Sequence, residues 1–250
     1  MATSNGLRAT PLLAGLSPEV VAEFLDLAAD RAFARGEALF AEGDKGGGVF
    51  VLLSGKVKMT RPGPDGKDVV LNMAGPGDLL GELAVFDGGA RQATATAVRD
   101  TAACWVSTRA MLGWLARHPS ASFRMMCLLA ERIRLVNDRL EDASAASDVA
   151  TRVARALVEQ GSRFGWRTPD GLRLTLDLSQ DELAHHVRAS RERVNQVLME
   201  FARRGWIRRE CDEFVVINAP ALTQRARYRP ETAARRPSVT APPRSRVARG

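Results

Sequence analysis

The stretch that most limits what this chain can become runs from Leu178 to Arg209, LSQDELAHHVRASRERVNQVLMEFARRGWIRR, which reads as two short helices joined by a tight turn. Ser179 followed three residues later by Glu182 has the capping-box spacing, in which each side chain satisfies the other's free backbone N–H. Ser190, another N-cap type, opens the second helix and puts Val194, Val197, Leu198 and Phe201 on one face at helical spacing. The other face carries Arg191, Glu192, Asn195 and Gln196. Arg pairs two-pronged with guanine, Glu accepts from the cytosine amino group, and Asn or Gln pairs with adenine, so this set is chemically able to read base edges. A solvated amphipathic helix is the plainer alternative. Against it, residues 185 to 209 hold seven Arg and two Glu, and caps, turn and basic face coincide as a helix-turn-helix requires. Ser179, Gln180, Ser190 and Arg193 are placed for phosphate. Arg188 stands in the inter-helix turn where glycine is common, a left-handed position that a side chain occupies at a cost of roughly 1 kcal/mol, so a phosphate contact is expected of it too.

The formal charge of +7 is unevenly placed: residues 225 to 250 contain eight Arg and one Glu, so the tail alone accounts for it. The basic helix pair is therefore offset by a slightly acidic remainder, as suits a DNA-facing end on a non-binding body. With 250 residues, 45% of them hydrophobic and 26% charged, the chain can build one large or two medium domains. Cys104, Cys127 and Cys211 are odd in number and far apart, which suggests neither a disulfide framework nor a metal site. No signal peptide is evident and no apolar run approaches the ~20 residues of a membrane span, so a cytoplasmic protein with no membrane partner is expected.

Residues 1 to 11 are small and polar and are expected to lack structure. From Leu12 to Ala32, Leu16, Val20, Phe24, Leu27 and Ala28 recur at helical spacing, with Ser17 and Pro18 as cap and first-turn proline, which predicts a short helix pair. From Arg35 to about Ser107 the pattern becomes short Val-, Leu- and Phe-rich runs broken by glycine turns, the pattern of a small closed β structure. A short helix from Ala110 ends at His118-Pro119, and a long one follows with Ser120 or Ser122 as cap. In it Met126, Leu129, Ile133, Val136, Leu140 and Ala143 are spaced 3, 4, 3, 4, 3 between charged flanks. That seam predicts a parallel homodimer, the alternative being packing on its own β domain. After the small-residue hinge from Ala143 to Ser147 come a helix from Asp148 to Gln160, a strand from Leu172 to Leu178, the helix pair, and a strand from Phe214 to Ile217, which together make a winged helix. From Arg225 on, Arg, Pro, Ala and Thr without periodicity predict a disordered basic arm.

The turn rhythm GEALFAEGD with LLSGKV, the block GDLLGELAVFDGGARQATA and the segment LSQDELAHHVRASRERVNQVL together resemble the Crp/Fnr family of bacterial transcription regulators, over nearly everything from Leu12 to Ala219. The form RERVNQVLMEFARRGWI is similar to actinobacterial members. The resemblance implies an α+β fold. Residues 12–117 form an N-terminal cyclic-nucleotide-binding-type β-roll (jelly roll), 118–147 a long dimerisation helix and hinge, and 148–224 a C-terminal winged helix-turn-helix, between an unstructured 1–11 and a basic tail at 225–250. It implies a homodimer on a palindromic TGTGA-like DNA operator, with RNA polymerase as a partner. Arg191 and Glu192 match the family's readers of G·C pairs, while Gln196 replaces a usual Arg.

The same resemblance places an effector at Gly81, Glu82, Leu83 and Arg91. A glycine corner leading into a helical turn presents free N–H groups to an anion, Arg91 can clamp a phosphate and Glu82 can accept from a ribose hydroxyl. Mutual pairing of Glu82 and Arg91 is the plainer reading. Binders of cyclic AMP in the family place Ser or Thr after the Arg and Thr on the central helix, where this chain has Gln92, and Val136 before Asn137. Leaving adenine's polar edge unpaired would cost about 1 to 3 kcal/mol, so cyclic AMP is disfavoured among cyclic nucleotides. Val136 also lies on the seam, which suggests a dimer competent for DNA without ligand. No Cys precedes Cys104, which speaks against the family's iron-sulfur sensor. His118, before a proline, is expected as an exposed cap rather than a haem ligand, and the adjacent His185 and His186 cannot face one metal. With no paired carboxylates, metal spacing, nucleophile elbow or phosphate loop, the chain is not expected to be an enzyme. A cyclic-nucleotide module acting on a protein partner is the competing class.

Overall fold

The computed structural model describes residues 7, 10–63, 66, 68–141, 148–210 and 213–227, with the side chains of 138–141 excepted. Helix α1 (Pro18–Leu27) starts on a first-turn proline and buries Val21 and Phe24. Eight strands follow: β1 (Ala29–Phe33), β2 (Ala38–Phe40), β3 (Gly48–Ser54), β4 (Val57–Pro62), β5 (Asp68–Ala74), β6 (Leu79–Leu80), β7 (Thr94–Ala97) and β8 (Thr101–Ser107), with the one-turn helix α2 (Glu82–Phe86) inserted before β7. They form two four-stranded antiparallel sheets, ordered β1-β8-β3-β6 and β2-β7-β4-β5. Between the sheets lie Phe40, Phe50, Leu52, Val57 and Ala95. The β3–β4 corner needs glycine: Gly55 has φ +88°, and a Cβ there would lie 2.4 Å from Thr101 Oγ1.

The outer face of the first sheet carries α1, α3 (Thr108–Arg117) and the start of α4 (Pro119–Glu141). Trp114 is fully buried there, against Phe24 at 4.8 Å between ring centres, with its indole N–H donated to the Val20 carbonyl. Helix α5 (Val149–Phe164), capped by Asp148, opens the second domain. Strands β9 (Trp166–Thr168), β10 (Gly171–Thr175), β11 (Ile207–Glu210) and β12 (Glu213–Val216) form one sheet ordered β11-β12-β10-β9, around α6 (Gln180–His186) and α7 (Arg191–Arg203), and α8 (Ala219–Ala226) closes it. Val153, Leu157, Leu174, Leu183, Val194, Phe201 and Leu222 share its core.

Several boundaries differ from the sequence reading. Only Pro18–Leu27 of the expected helix pair is helical, and Ala29–Phe33 is an edge strand paired with β8. Sheet pairing outweighs a weak helical period in so short a run. Leu7 and Thr10, inside the stretch expected to lack structure, are buried at 2% and 1% exposure. Helix α4 starts at Pro119 itself, ahead of both serines proposed as its cap, and Ser122 donates instead to the Leu115 carbonyl. His118 does cap the C-terminus of α3, but it is half-buried rather than exposed, with Nε2 2.6 Å from Glu23 Oε2. The strand expected over Leu172–Leu178 stops at Thr175. Arg225 and Ala226, assigned to the tail, belong to α8, where Arg225 pairs with Asp148 at 2.5 Å. The hinge at 143–147, the tail from 228, Cys211 and the Leu140 side chain lie outside the described residues.

Candidate functional site

The helix pair forms as its local chemistry dictates. The Ser179 hydroxyl accepts from the Glu182 N–H at 3.1 Å, and the Glu182 carboxylate accepts from the Ser179 N–H at 2.8 Å, which closes the capping box. The Ser190 hydroxyl accepts from the Arg193 N–H and caps α7. Between the helices Arg188 sits at φ 50°, one of two non-glycine residues in the left-handed region among those described. Arg152 on α5 secures this turn, donating from Nε to the Val187 carbonyl at 2.7 Å and from Nη2 to that of Arg188 at 3.2 Å. Nothing local to the turn announces Arg152, which is 35 residues away from Val187.

Val194, Val197, Leu198 and Phe201 are buried, and Arg191, Glu192, Arg193 and Gln196 are exposed on the opposite side. Gln180 organises part of this face: its Oε1 accepts from Arg191 Nε at 2.9 Å and from Asn195 Nδ2 at 3.3 Å. Arg193 donates to Gln196 Oε1 at 3.0 Å. The Glu192 backbone N–H and the Ser190 side chain hold the Glu192 carboxyl below its ordinary range, so it is an acceptor at neutral pH. Of the predicted phosphate residues, Gln180 and Arg193 touch the predicted base readers directly, Ser190 caps their helix, Ser179 caps the helix before it and Arg188 lies in the turn between the two.

In the β-roll, Gly81 (φ +81°) leads into α2, and a Cβ on it would lie 2.0 Å from Arg91 Nη1. The left-handed backbone favours glycine here, and its missing side chain lets the guanidinium lie against that backbone. Arg91 is buried at 5% exposure, donates to the carbonyls of Gly81 and Gly48 at 2.6 Å each, and lies 4.5 Å above the Phe40 ring, while its Nε has no partner. Burial pulls its pKa down, against the pull of Glu82 and Asp44. Glu82, 2% exposed, takes its hydrogen bond from Arg132 of α4 at 2.6 Å and not from Arg91. The site therefore joins Gly81, Glu82 and Arg91 to the long helix through Arg132, a residue that the sequence reading treated only as a charged flank. Leu83, Gln92, Val136 and Asn137 are exposed on the single chain.

Along α4, Met125 and Ala121 are buried and Leu129 packs partly on the chain's own core, whereas Met126, Ile133 and Val136 are 59%, 60% and 48% exposed. The first turns are anchored and the later ones present an apolar stripe.

A β-roll with a buried arginine beside a glycine corner, followed along the chain by a long helix and then a winged helix with an open basic face, defines a two-domain protein of the DNA-binding class. Residues 30–118 match the cyclic nucleotide-binding domain model and residues 151–225 the Crp-like helix-turn-helix domain model. The chain is 39% identical over 213 residues to a CRP-like cAMP-activated global transcriptional regulator of Mycobacterium tuberculosis, covering 85% of this chain and 95% of that one. It is 32% identical over 202 residues to a cyclic AMP receptor protein of Thermus thermophilus, covering 81% and 90%. A solved CRP-family transcriptional regulator from Thermus thermophilus superposes with a TM-score of 0.66 at 27% identity, over 78% of this chain and 96% of that one. The chain belongs to the Crp/Fnr family of DNA-binding transcription regulators. Among the described residues, no helix is long and apolar enough to cross a membrane.

Proposed function

We propose that this regulator acts as a homodimer on a palindromic, TGTGA-like operator, with Arg191 and Glu192 reading G·C pairs and Gln196 relaxing the preference at one further pair. The observation that carries this is the exposed face of α7, where Arg191 and Asn195 share Gln180 as a brace and no core position interrupts the polar side chains. Two such faces related by a two-fold axis fit half-sites about 34 Å apart, one turn of DNA. The exposed Met126, Ile133 and Val136 supply the pairing surface. Two DNA-bound subunits recruit RNA polymerase as the downstream partner.

The roll receives a phosphate-bearing effector. Arg91 is buried, with Nε unbonded, and buried polar groups are normally satisfied. The kinship to regulators named for cyclic AMP supports a cyclic nucleotide, while Gln92 and Val136 disfavour cyclic AMP itself. Glu82 and Arg132 link any such ligand to α4. Because Val136 is already apolar, pairing does not wait for the ligand, and nucleotide-free protein binds the operator.

Arg191→Ala tests the reader. It removes the preference for a palindromic TGTGA duplex over a random one, by the about 1 to 3 kcal/mol of a two-pronged contact, and leaves salt-dependent nonspecific binding in place. Equal loss of both, measured by fluorescence anisotropy, would make Arg191 a backbone contact. Absence of specific binding by nucleotide-free protein, with recovery on adding a cyclic nucleotide, would refute ligand independence.

A further inference from the structure

We propose that Lys56 is a positioning residue for DNA binding: from the β3–β4 corner of the roll it fixes the orientation of the helix-turn-helix. Lys56 is 1% exposed, and a buried ammonium is tolerated only when its protons are taken up. All three of its acceptors come from the other domain: the carbonyls of Thr175 and Leu176 and the carboxylate of Asp177, each at 3.0 Å. The Phe164 ring, at the end of α5, covers the ammonium at 4.3 Å. Burial is the largest influence on its pKa and lowers it, against the opposing pull of Asp177.

Three acceptors on consecutive residues fix a direction as well as a distance. Asp177 is held at φ 56°, the second left-handed non-glycine residue, two positions before the cap Ser179, and Arg99 of the roll also pairs with it at 3.1 Å. Lys58 of β4 pairs with Glu182, the other half of the capping box. On the far side of Phe164, Arg163 donates to the Met73 carbonyl at 2.9 Å and pairs with Asp78, and Gly75 leaves room for the ring, since a Cβ there would lie 2.3 Å from it. The roll thus grips the lead-in and first turn of α6, and Gln180 in that turn braces Arg191 and Asn195. Arg191 stays 54% exposed, with Gln180 and Asp181 as its partners, so the contact orients the reading face and does not mask it.

This rests on the two-fold operator reading, in which affinity depends on how the two faces are set apart. The test is Lys56→Met in the full chain, with nitroxide labels at Ala116→Cys on α3 of the roll and Met199→Cys on α7, both exposed, after Cys127 and Cys211 are changed to Ser. The interdomain distance distribution broadens, binding to a palindromic TGTGA duplex weakens at least tenfold, and binding to a random duplex stays within about twofold. Asp177→Asn, which keeps the carbonyl acceptors, and Gly75→Ala, which wedges Phe164 from the other side, shift both readouts in the same direction and stand in if Lys56→Met fails to fold. An unchanged distance distribution, or tighter palindrome binding as an autoinhibitory contact would give, overturns the proposal. If wild-type protein does not prefer the palindrome, the operator reading falls, while the distance distribution still decides whether Lys56 sets the orientation.

Discussion

At Arg188 the backbone takes a conformation, φ 50°, that a side chain occupies at a cost of roughly 1 kcal/mol. Arg152 maintains it by binding the Val187 and Arg188 carbonyls. Arg188→Gly should raise the stability of the winged helix by up to about 1 kcal/mol and, if Arg188 touches phosphate, weaken all DNA sequences alike with a shallower salt slope. Thermal unfolding and anisotropy against salt measure both. Cys104 is the opposite case, a residue whose surroundings silence it. Fully buried in β8, its thiol is pushed up to about 12 by burial, so it stays protonated at neutral pH. Native protein should therefore leave Cys104 unmodified by a thiol reagent while half-buried Cys127 reacts, and mass mapping of the labelled peptides checks this.

At the scale of the element, α6 is sensitive to acid through Glu182. Burial raises the Glu182 pKa, but the hydrogen bond from Lys58 and the backbone bond from Ser179 outweigh it, and the net shift is downward from 4.5. A carboxylate with a depressed folded pKa stabilises the fold above its unfolded value, and that contribution is lost as pH falls through the folded one. Glu182→Gln keeps the capping-box geometry, because Gln serves in that motif, but removes the charge. The variant should retain α6 at neutral pH and lose less stability than wild type as pH falls below about 4.5, read by urea unfolding at a series of pH values. An equal loss would place the acid sensitivity in another carboxylate.

On the scale of the whole molecule, the later turns of α4 present apolar side chains that the single chain does not cover, with Ile133 at 60% exposure. If that stripe pairs two copies, Ile133→Asp buries a charge in the seam and gives a monomer by sedimentation, with a folded roll and specific DNA binding reduced at least a hundredfold, about 3 kcal/mol. A variant that remains dimeric would move the contact elsewhere. Much of this molecule is legible from local pattern. A capping box, N-cap serines, a first-turn proline, glycine corners and the apolar face of α7 act within a few residues, so their geometry follows from composition and spacing alone, and three motifs sufficed to indicate the family. Other features are set by distant chain segments. Ala29–Phe33 became a strand because β8 offered a free edge, Glu82 found Arg132 rather than Arg91, and Arg152 reached a turn 35 residues on. Lys56 is the clearest case: in sequence it is one lysine in a glycine turn, indistinguishable from a solvated one. Its burial, and the orientation it gives the DNA-reading helices, exist only because Thr175, Leu176 and Asp177 lie against it in the folded chain. The sequence by itself determined which elements form and what chemistry each face carries; the tertiary structure decided which charges meet, because hydrogen-bond partners of buried groups are chosen by proximity in space.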